Sequence, residues 1–207
     1  MSRTRLSLLG AAVVLGVIVA ACAWSAQAEQ DPRQPKRQPD VHFVGTPHEV
    51  VDWMLHLARV KKDDVVYDLG CGDGRIMVAA AKTYGCKAVG YDIDPQRVKE
   101  SQENIKKNNV EQRVTVEEKD IFTLDLSGAS VVTLYLLPTL NVKLIPQLDK
   151  LKPGARIVSH DFDMQGVMPD AVLTTWSEDG SEHKVYLWTA PLNKGTRPEH
   201  TAYTNEK

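Results

Sequence analysis

Asp68, Gly70, Gly72, Gly74 and Asp92 are the residues of this chain whose types and spacing could do chemistry. The apolar run Val65-Val66-Tyr67 ends in Asp68, the glycines then alternate as Gly70-Cys71-Gly72-Asp73-Gly74, and a helix-compatible stretch runs from Ile76 to Lys82. That order predicts a strand, a tight turn and a helix. A glycine turn lets the backbone close on a ligand, and it adopts dihedrals that side chains resist. Eighteen residues beyond Gly74, the short apolar strand Ala88-Val89-Gly90-Tyr91 ends in Asp92. A carboxylate ~20 residues past such a turn is placed to meet the ribose hydroxyls of a bound nucleoside. Alone, Asp92 reads equally well as a solvated strand end; beside the glycine turn it reads as a nucleoside contact. The spacing is G-x-G-x-G, with Arg75 where a dinucleotide loop would carry its last glycine, and no Lys-Ser/Thr pair follows. Both the dinucleotide fingerprint and the phosphate-binding loop of nucleotide hydrolases are therefore disfavoured.

The elements that must position these residues alternate in type. Asp94 followed by Pro95 is a strong helix start, an oxygen acceptor before a ring that fixes φ, and it opens a helix from Gln96 to Asn108 with Val98, Ser101 and Ile105 inward. A third strand is expected from Val114 to Phe122, with Asp120 and Ile121 near its end. The fourth, Ala129 to Leu137, is nearly all apolar, as befits a strand covered on both faces of a parallel sheet. Leucines at 140, 144, 148 and 151 mark a helix that Pro146 should kink or divide. After the turn Leu151-Lys152-Pro153-Gly154 comes a fifth strand, Arg156 to Phe162. Ala171–Trp176 and Lys184–Thr189, separated by a polar stretch containing Gly180, read as a hairpin. Ahead of the glycine turn, Thr46-Pro47-His48-Glu49 has the form of a capping box with proline at the first helical position. It would open an amphipathic helix with Val50, Met54, Leu57 and Ala58 inward. Strands alternating with helices imply βαβ units and a parallel sheet.

Together these motifs resemble the class I, seven-strand S-adenosylmethionine-dependent methyltransferases over residues 41–192. The acid-then-three-glycines turn matches that family's first motif, and the Leu-Lys-Pro-Gly turn and final hairpin match its later ones. The resemblance implies an α/β fold, a Rossmann-like doubly wound sheet that is mostly parallel with an antiparallel last strand. It implies S-adenosyl-L-methionine as cofactor, held by Asp68, Gly70, Cys71, Gly72, Gly74, Asp92, Ile93, Asp120 and Ile121, with Asp120 and Ile121 at the adenine. The lead-in Phe43-Val44-Gly45-Thr46-Pro47, followed by Asp-Leu-Gly-x-Gly-Asp-Gly-Arg, is similar to the seven-strand protein-lysine methyltransferases of the ATP synthase c-subunit type. By that similarity Phe43, Thr46 and Pro47 line the cofactor site, and the acceptor is a protein lysine. The stretch Tyr135-Leu136-Leu137-Pro138 departs from the nucleosomal lysine enzymes.

The rest of the chain bounds where such a domain works. Residues 1–28 read as a signal peptide or membrane anchor: Arg3 and Arg5 precede an apolar run from Leu8 to Ala23, with a peptidase-like Ala26-Gln27-Ala28 and a lipoprotein-like Val19-Ala20-Ala21-Cys22. The expected location is beyond or on a membrane, in a bacterial periplasm or cell envelope, which conflicts with a cofactor made in the cytosol. Residues 29–40 read as a disordered linker and 193–207 as a flexible tail. A net charge of −2 without a basic stripe makes nucleic acid a poor partner. Cys71 and Cys86 lack metal-ligand spacing, although a bridge between them is open in an oxidising compartment. No metal site is expected. His160 and Asp161 are adjacent on a strand and should point to opposite faces, which argues against a shared site.

Methyl transfer from a sulfonium is an in-line displacement, so alignment and exclusion of water matter more than a strong base; positioning can supply ~7–11 kcal/mol. The acceptor should enter above the strand ends, where the loops after strands four and five offer Tyr135, Asn141 and Phe162. Tyr135 and Asn141 are the expected catalytic residues, while Tyr135 and Phe162 read equally as core packing. The alternatives are a methyltransferase acting on a small molecule, a non-catalytic S-adenosylmethionine-binding module, and a dinucleotide oxidoreductase that the glycine spacing and the hairpin argue against.

Overall fold

The computed structural model describes residues 38–195; the expected targeting segment, most of the linker and the tail from 196 lie outside the described residues. No helix among the described residues is long and apolar enough to cross a membrane.

The helices are α1 (His48–Leu57), α2 (Arg75–Tyr84), α3 (Pro95–Lys107) and α4 (Pro138–Leu148), and a short 3-10 turn spans Ile121–Thr123. The strands are β1 (Val65–Leu69), β2 (Lys87–Asp92), β3 (Val114–Glu118), β4 (Val131–Leu134), β5 (Arg156–His160), β6 (Ala171–Trp176) and β7 (Glu182–Thr189). They form one sheet in the order β3-β2-β1-β4-β5-β7-β6. Strands β1 to β5 pair in parallel, while β7 runs antiparallel to both β5 and β6. The chain starts in the middle of the sheet, winds outward to β3, then returns to β4. That reversal between β1 and β4 opens a crevice at the strand carboxyl ends, where ligands of open α/β sheets bind.

Apolar side chains cover both faces. Val66, Val131, Val158 and Val185 join Val50, Met54, Met77 and Ile105 from α1, α2 and α3 in one cluster. Leu69, Val132, Leu134, Ile157 and Trp188 join Leu144 and Leu148 from α4 in the other. At the opposite end of the sheet, Arg156 Nη2 pairs with Asp64 Oδ2 at 2.5 Å, and Ser130 Oγ donates to Asp64 Oδ1 at 2.8 Å. These bonds hold the Asp64 carboxyl below the usual carboxylate range against the opposing effect of burial, and they tie the starts of β1, β4 and β5 together.

Several local expectations are corrected. Thr46 does not cap α1: Pro47 is the cap residue, without a side-chain hydrogen bond, and the Thr46 hydroxyl is spent on His160. The buried face of α1 is Val50, Val51, Met54 and Leu55, so Leu57 lies at its margin. β3 ends at Glu118 because Asp120 caps the 3-10 turn, accepting from Phe122 N at 2.9 Å. β4 ends at Leu134, and Pro138 opens α4 two residues before the expected start at Leu140. α4 passes through Pro146 without division: the proline lies in its last turn, and fully buried Leu144 and Leu148 anchor it on either side. Asp94 caps α3 as expected, accepting from Gln96 N at 2.8 Å. Cys71 and Cys86 are both free and buried.

Candidate functional site

The glycine turn joins β1 to α2, and its backbone is fastened to β2 and α3. Gly70 N and Cys71 N both donate to Tyr91 O, at 2.8 and 3.1 Å. Gly72 N donates to Asp92 Oδ2 at 2.9 Å, and Asp94 N to Asp92 Oδ1 at 2.9 Å. From α3, Ser101 Oγ donates to Gly72 O at 2.8 Å and Asn104 Nδ2 to Asp73 O at 3.0 Å. Asp92 thus braces the glycine turn with one oxygen and the start of α3 with the other before it meets any ligand. Each oxygen keeps a second lone pair, so a contact to a hydroxyl is still open.

The lead-in segment folds back across this turn. The Phe43 ring lies on Gly72, with the Arg97 guanidinium 4.8 Å from its centroid on α3. Arg75, where a dinucleotide loop has glycine, forks onto Asp73 at 2.6 Å and donates through Nη1 to Thr46 O at 2.9 Å. This clamp was not legible in the sequence, since nothing local links residues 46 and 75. Asp73 stays below the usual carboxylate range because Arg75 outweighs the opposing effect of its burial.

Together these walls enclose a cleft of about 910 Å³, part of it open to solvent. Of the expected cofactor residues, Phe43, Thr46, Asp68, Gly70, Cys71, Asp92, Ile93, Asp120 and Ile121 line it. Three expected contacts are not in its wall. Pro47 starts α1, Gly72 is covered by Phe43, and Gly74 packs against Ser101. The latter two glycines shape the turn, at φ +56° and +77°, and do not front the cleft. Pro39 and Asp40, ahead of the expected domain boundary, contribute to the wall.

Asp68 is the most unusual group here. Its Oδ1 accepts from Thr133 Oγ1 at 2.6 Å, but Oδ2 is buried and has no hydrogen-bond partner. Burial raises its pKa to about 7; Asp92 and Asp73 add to the rise, and the Thr133 bond opposes it. Asp92 is raised too, first by its burial. A buried carboxyl with an unpartnered oxygen, on a residue that lines the cleft, is a place for a cationic donor.

At the opposite wall Tyr135 lines the cleft, while Asn141 does not. Asn141 is fully buried, and its Nδ2 donates to Phe162 O and Asp163 O at 3.2 and 3.1 Å. Its Nδ2 fixes the turn after β5, a positioning task, while its buried Oδ1 has no hydrogen-bond partner. The Tyr135 ring lies tilted by 34° against His160, 3.9 Å between centroids, and runs nearly parallel to Phe162 at 6.0 Å. Burial, and secondarily Asp161, raise the Tyr135 pKa, so the phenol keeps its proton at neutral pH. It can orient an acceptor but not deprotonate one.

His160 is fully buried, with Nδ1 3.1 Å from Thr46 Oγ1, and burial holds its ring well below histidine's ordinary pKa. The expectation that His160 and Asp161 diverge fails. Asp161 has φ +56°, which breaks the strand alternation and turns its Oδ2 to within 3.2 Å of His160 Nε2. A side chain in the left-handed region is uncommon and was not legible from the sequence.

Comparison with known proteins agrees with this geometry. Residues 68–171 match the family model described as the ANTKMT methyltransferase domain. A protein-lysine N-methyltransferase of Saccharolobus islandicus is 48% identical over 159 residues, 75% of this chain and 98% of the relative. The adenine nucleotide translocase lysine N-methyltransferase of Mus musculus is 29% identical over 151 residues, 72% of this chain and 66% of the relative. A crystal structure of an RNA methyltransferase from Salinibacter ruber in complex with S-adenosyl-L-homocysteine is 48% identical, with a TM-score of 0.66 over 75% of this chain and 97% of the other.

Proposed function

The chain belongs to the ANTKMT methyltransferase-domain family, and from that premise we propose that it methylates lysine side chains of proteins. It is an S-adenosylmethionine-dependent methyltransferase. The cleft suits that cofactor: the partnerless Oδ2 of Asp68 can take up an ammonium, and Asp92, which lines the cleft, keeps lone pairs for a ribose hydroxyl. When bound, S-adenosylmethionine supplies a methyl group on a positively charged sulfur, ready for displacement. The protein's part is to orient and to exclude water. Phe43 and Thr46 cover the cleft, Asp120 and Ile121 flank the adenine end, and Tyr135 borders the path of the acceptor.

The observation that carries the lysine assignment is the charge of the cleft. Six aspartates line it against two arginines, of which Arg75 pairs with Asp73 and Arg97 lies near Asp94. That field draws in a cationic side chain and opposes a phosphate backbone. The 48% identical relative named as a protein-lysine N-methyltransferase supports the same choice. The equally identical structure described as an RNA methyltransferase makes RNA a necessary arm of the test. The full-length protein should be incubated with methyl-labelled S-adenosylmethionine and, separately, a lysine-rich protein, RNA, and a pool of small amines. Label on lysine Nζ of the protein alone supports the assignment; label on RNA or on the amines alone overturns it.

Asp68 gives the reaction a pH dependence. Its folded pKa, about 7, lies above the unfolded value, so its contribution to stability without cofactor is full below pH 4 and is lost as pH rises through about 7. A bound ammonium favours the carboxylate and must expel that proton. Cofactor affinity is therefore expected to rise between about pH 5 and pH 8, by roughly tenfold to a hundredfold. Asp68→Asn should flatten that profile. Calorimetry in buffers of different ionisation enthalpy reads the released proton directly.

The protein works, in this proposal, at or beyond a membrane, on the strength of the Arg3 to Ala28 segment. Fractionation of expressing cells, with the mass of the mature chain, checks that location.

A further inference from the structure

Beside the Tyr135 ring, three potential ligand atoms from the end of β5, the residue after it and the start of β7 converge. Asp161 Oδ2 lies 3.2 Å from His160 Nε2 and 3.0 Å from His183 Nδ1, and the two ring nitrogens are 3.0 Å apart. We propose that His160, Asp161 and His183 form a binding site for a divalent first-row transition-metal ion, which fastens the end of β5 to the start of β7.

Hydrogen bonds cannot account for this triangle. While Asp161 is ionised it accepts only, so protons can come only from the two rings. If one ring nitrogen carries a proton and shares it across two edges, the third edge sets two lone pairs against each other. If both carry protons, both N–H groups converge on Asp161 Oδ2 and crowd each other across nitrogens 3.0 Å apart. One edge is repulsive in every arrangement. A cation above the triangle accepts all three lone pairs. At the ~2.1 Å usual for imidazole and carboxylate donors, it would see each pair of atoms at about 90–100°. That is one face of an octahedron, and two imidazoles with one carboxylate suit zinc, cobalt, nickel or iron more than magnesium or calcium.

The outer contacts give independent support. A ring that binds a metal through one nitrogen usually donates from the other. His160 Nδ1 is 3.1 Å from the Thr46 hydroxyl, and His183 Nε2 is 3.3 Å from the Ser177 hydroxyl. Ser177 in turn donates to Asp179 Oδ1 at 2.6 Å, leaving its lone pairs for His183. The second oxygen of Asp161 accepts from Lys184 N at 2.9 Å. Every ligand is thus oriented by a partner that leaves its inward atom free. Asp161 holds its left-handed backbone, φ +56°, to complete the set, and such outliers gather at functional sites. His183 and Asp161 keep 14% and 28% of their side-chain surface, which leaves an approach from solvent.

The ion would also act on the neighbouring cleft. With Nε2 committed to metal, His160 must carry its proton on Nδ1 and donate it to Thr46, which lines the cleft. The metal therefore sets how firmly the lead-in segment is held. The site does not depend on the identity of the methyl acceptor.

The test uses the full-length, tag-free protein, stripped with a chelator and titrated with CoCl2 while visible absorption is followed. One equivalent is expected to bind with micromolar or tighter affinity and to be displaced by ZnCl2. Asp161→Asn and His183→Ala should each weaken binding at least about thirtyfold, and Ser177→Ala about tenfold, the usual range for an outer partner. Absence of stoichiometric binding by the wild type overturns the proposal, as does unchanged affinity in both ligand variants. Should a variant fail to fold by circular dichroism, X-ray absorption of the cobalt-loaded wild type decides. Two imidazoles in the coordination sphere support the site, and fewer overturn it.

Discussion

Gly72→Val abolishes cofactor binding in this account, raising Kd for S-adenosylmethionine by at least about a hundredfold, or ~2.7 kcal/mol. Two independent obstacles arise at that residue. Its φ of +56° is a conformation that β-branched residues resist most strongly. A Cβ there would also fall 2.6 Å from Cδ2 of the Phe43 ring and nearer still to Cε2. Neither neighbour can give way freely. The Gly72 amide is tied to Asp92 and its carbonyl to Ser101, while Phe43 is held between the turn and Arg97. The turn must rotate or the lead-in segment must lift, and both movements open the cleft. Calorimetric titration reads the affinity, with circular dichroism and a thermal melt to confirm the fold. A variant that folds and binds within threefold of wild type would show that neither the turn nor its cover shapes the site.

Asp92→Ala is expected to cost as much binding with less change in the fold. The substitution strands the Gly72 and Asp94 amides, which Asp92 accepts at 2.9 Å each, at ~1–3 kcal/mol apiece where water cannot reach them. It also removes a carboxylate whose burial raises its pKa and whose charge raises that of Asp68. These effects oppose each other, so the melting temperature should move by only a few degrees, while Kd rises about a hundredfold. Asp92→Asn keeps one acceptor and a similar shape, and should fall between, near tenfold. The ordering wild type, Asn, Ala is the informative result. Equal affinity of all three would remove Asp92 from the site.

What the sequence made legible is local in origin. The glycine turn, the acids at the ends of the first two strands and the cap at Asp94 depend on neighbours within a few residues, and each lies where spacing put it. The alternation of apolar strands with amphipathic helices sufficed for the parallel part of the sheet, while the antiparallel return of β7 followed from the hairpin and the family resemblance. What was not legible depends on residues far apart. Thr46 has the neighbours of a capping residue, but His160, 114 positions away, offers its hydroxyl a buried partner instead. Asn141 has the chemistry of an acceptor-binding residue, yet the turn after β5 takes its Nδ2 and leaves only a buried Oδ1 unpartnered. Arg75 looked only like a missing glycine until the lead-in carbonyl of Thr46 came within 2.9 Å. The alternation rule for His160 and Asp161 failed at a single dihedral.

A single-turnover reaction tests the central claim most directly. Full-length protein in excess over methyl-labelled S-adenosylmethionine is mixed with a lysine-rich protein acceptor, and both products are quantified. S-adenosylhomocysteine and Nζ-methyl-lysine are expected in equal amounts, with neither formed by Gly72→Val. Tight cofactor binding without S-adenosylhomocysteine, or S-adenosylhomocysteine without methyl-lysine, would contradict it.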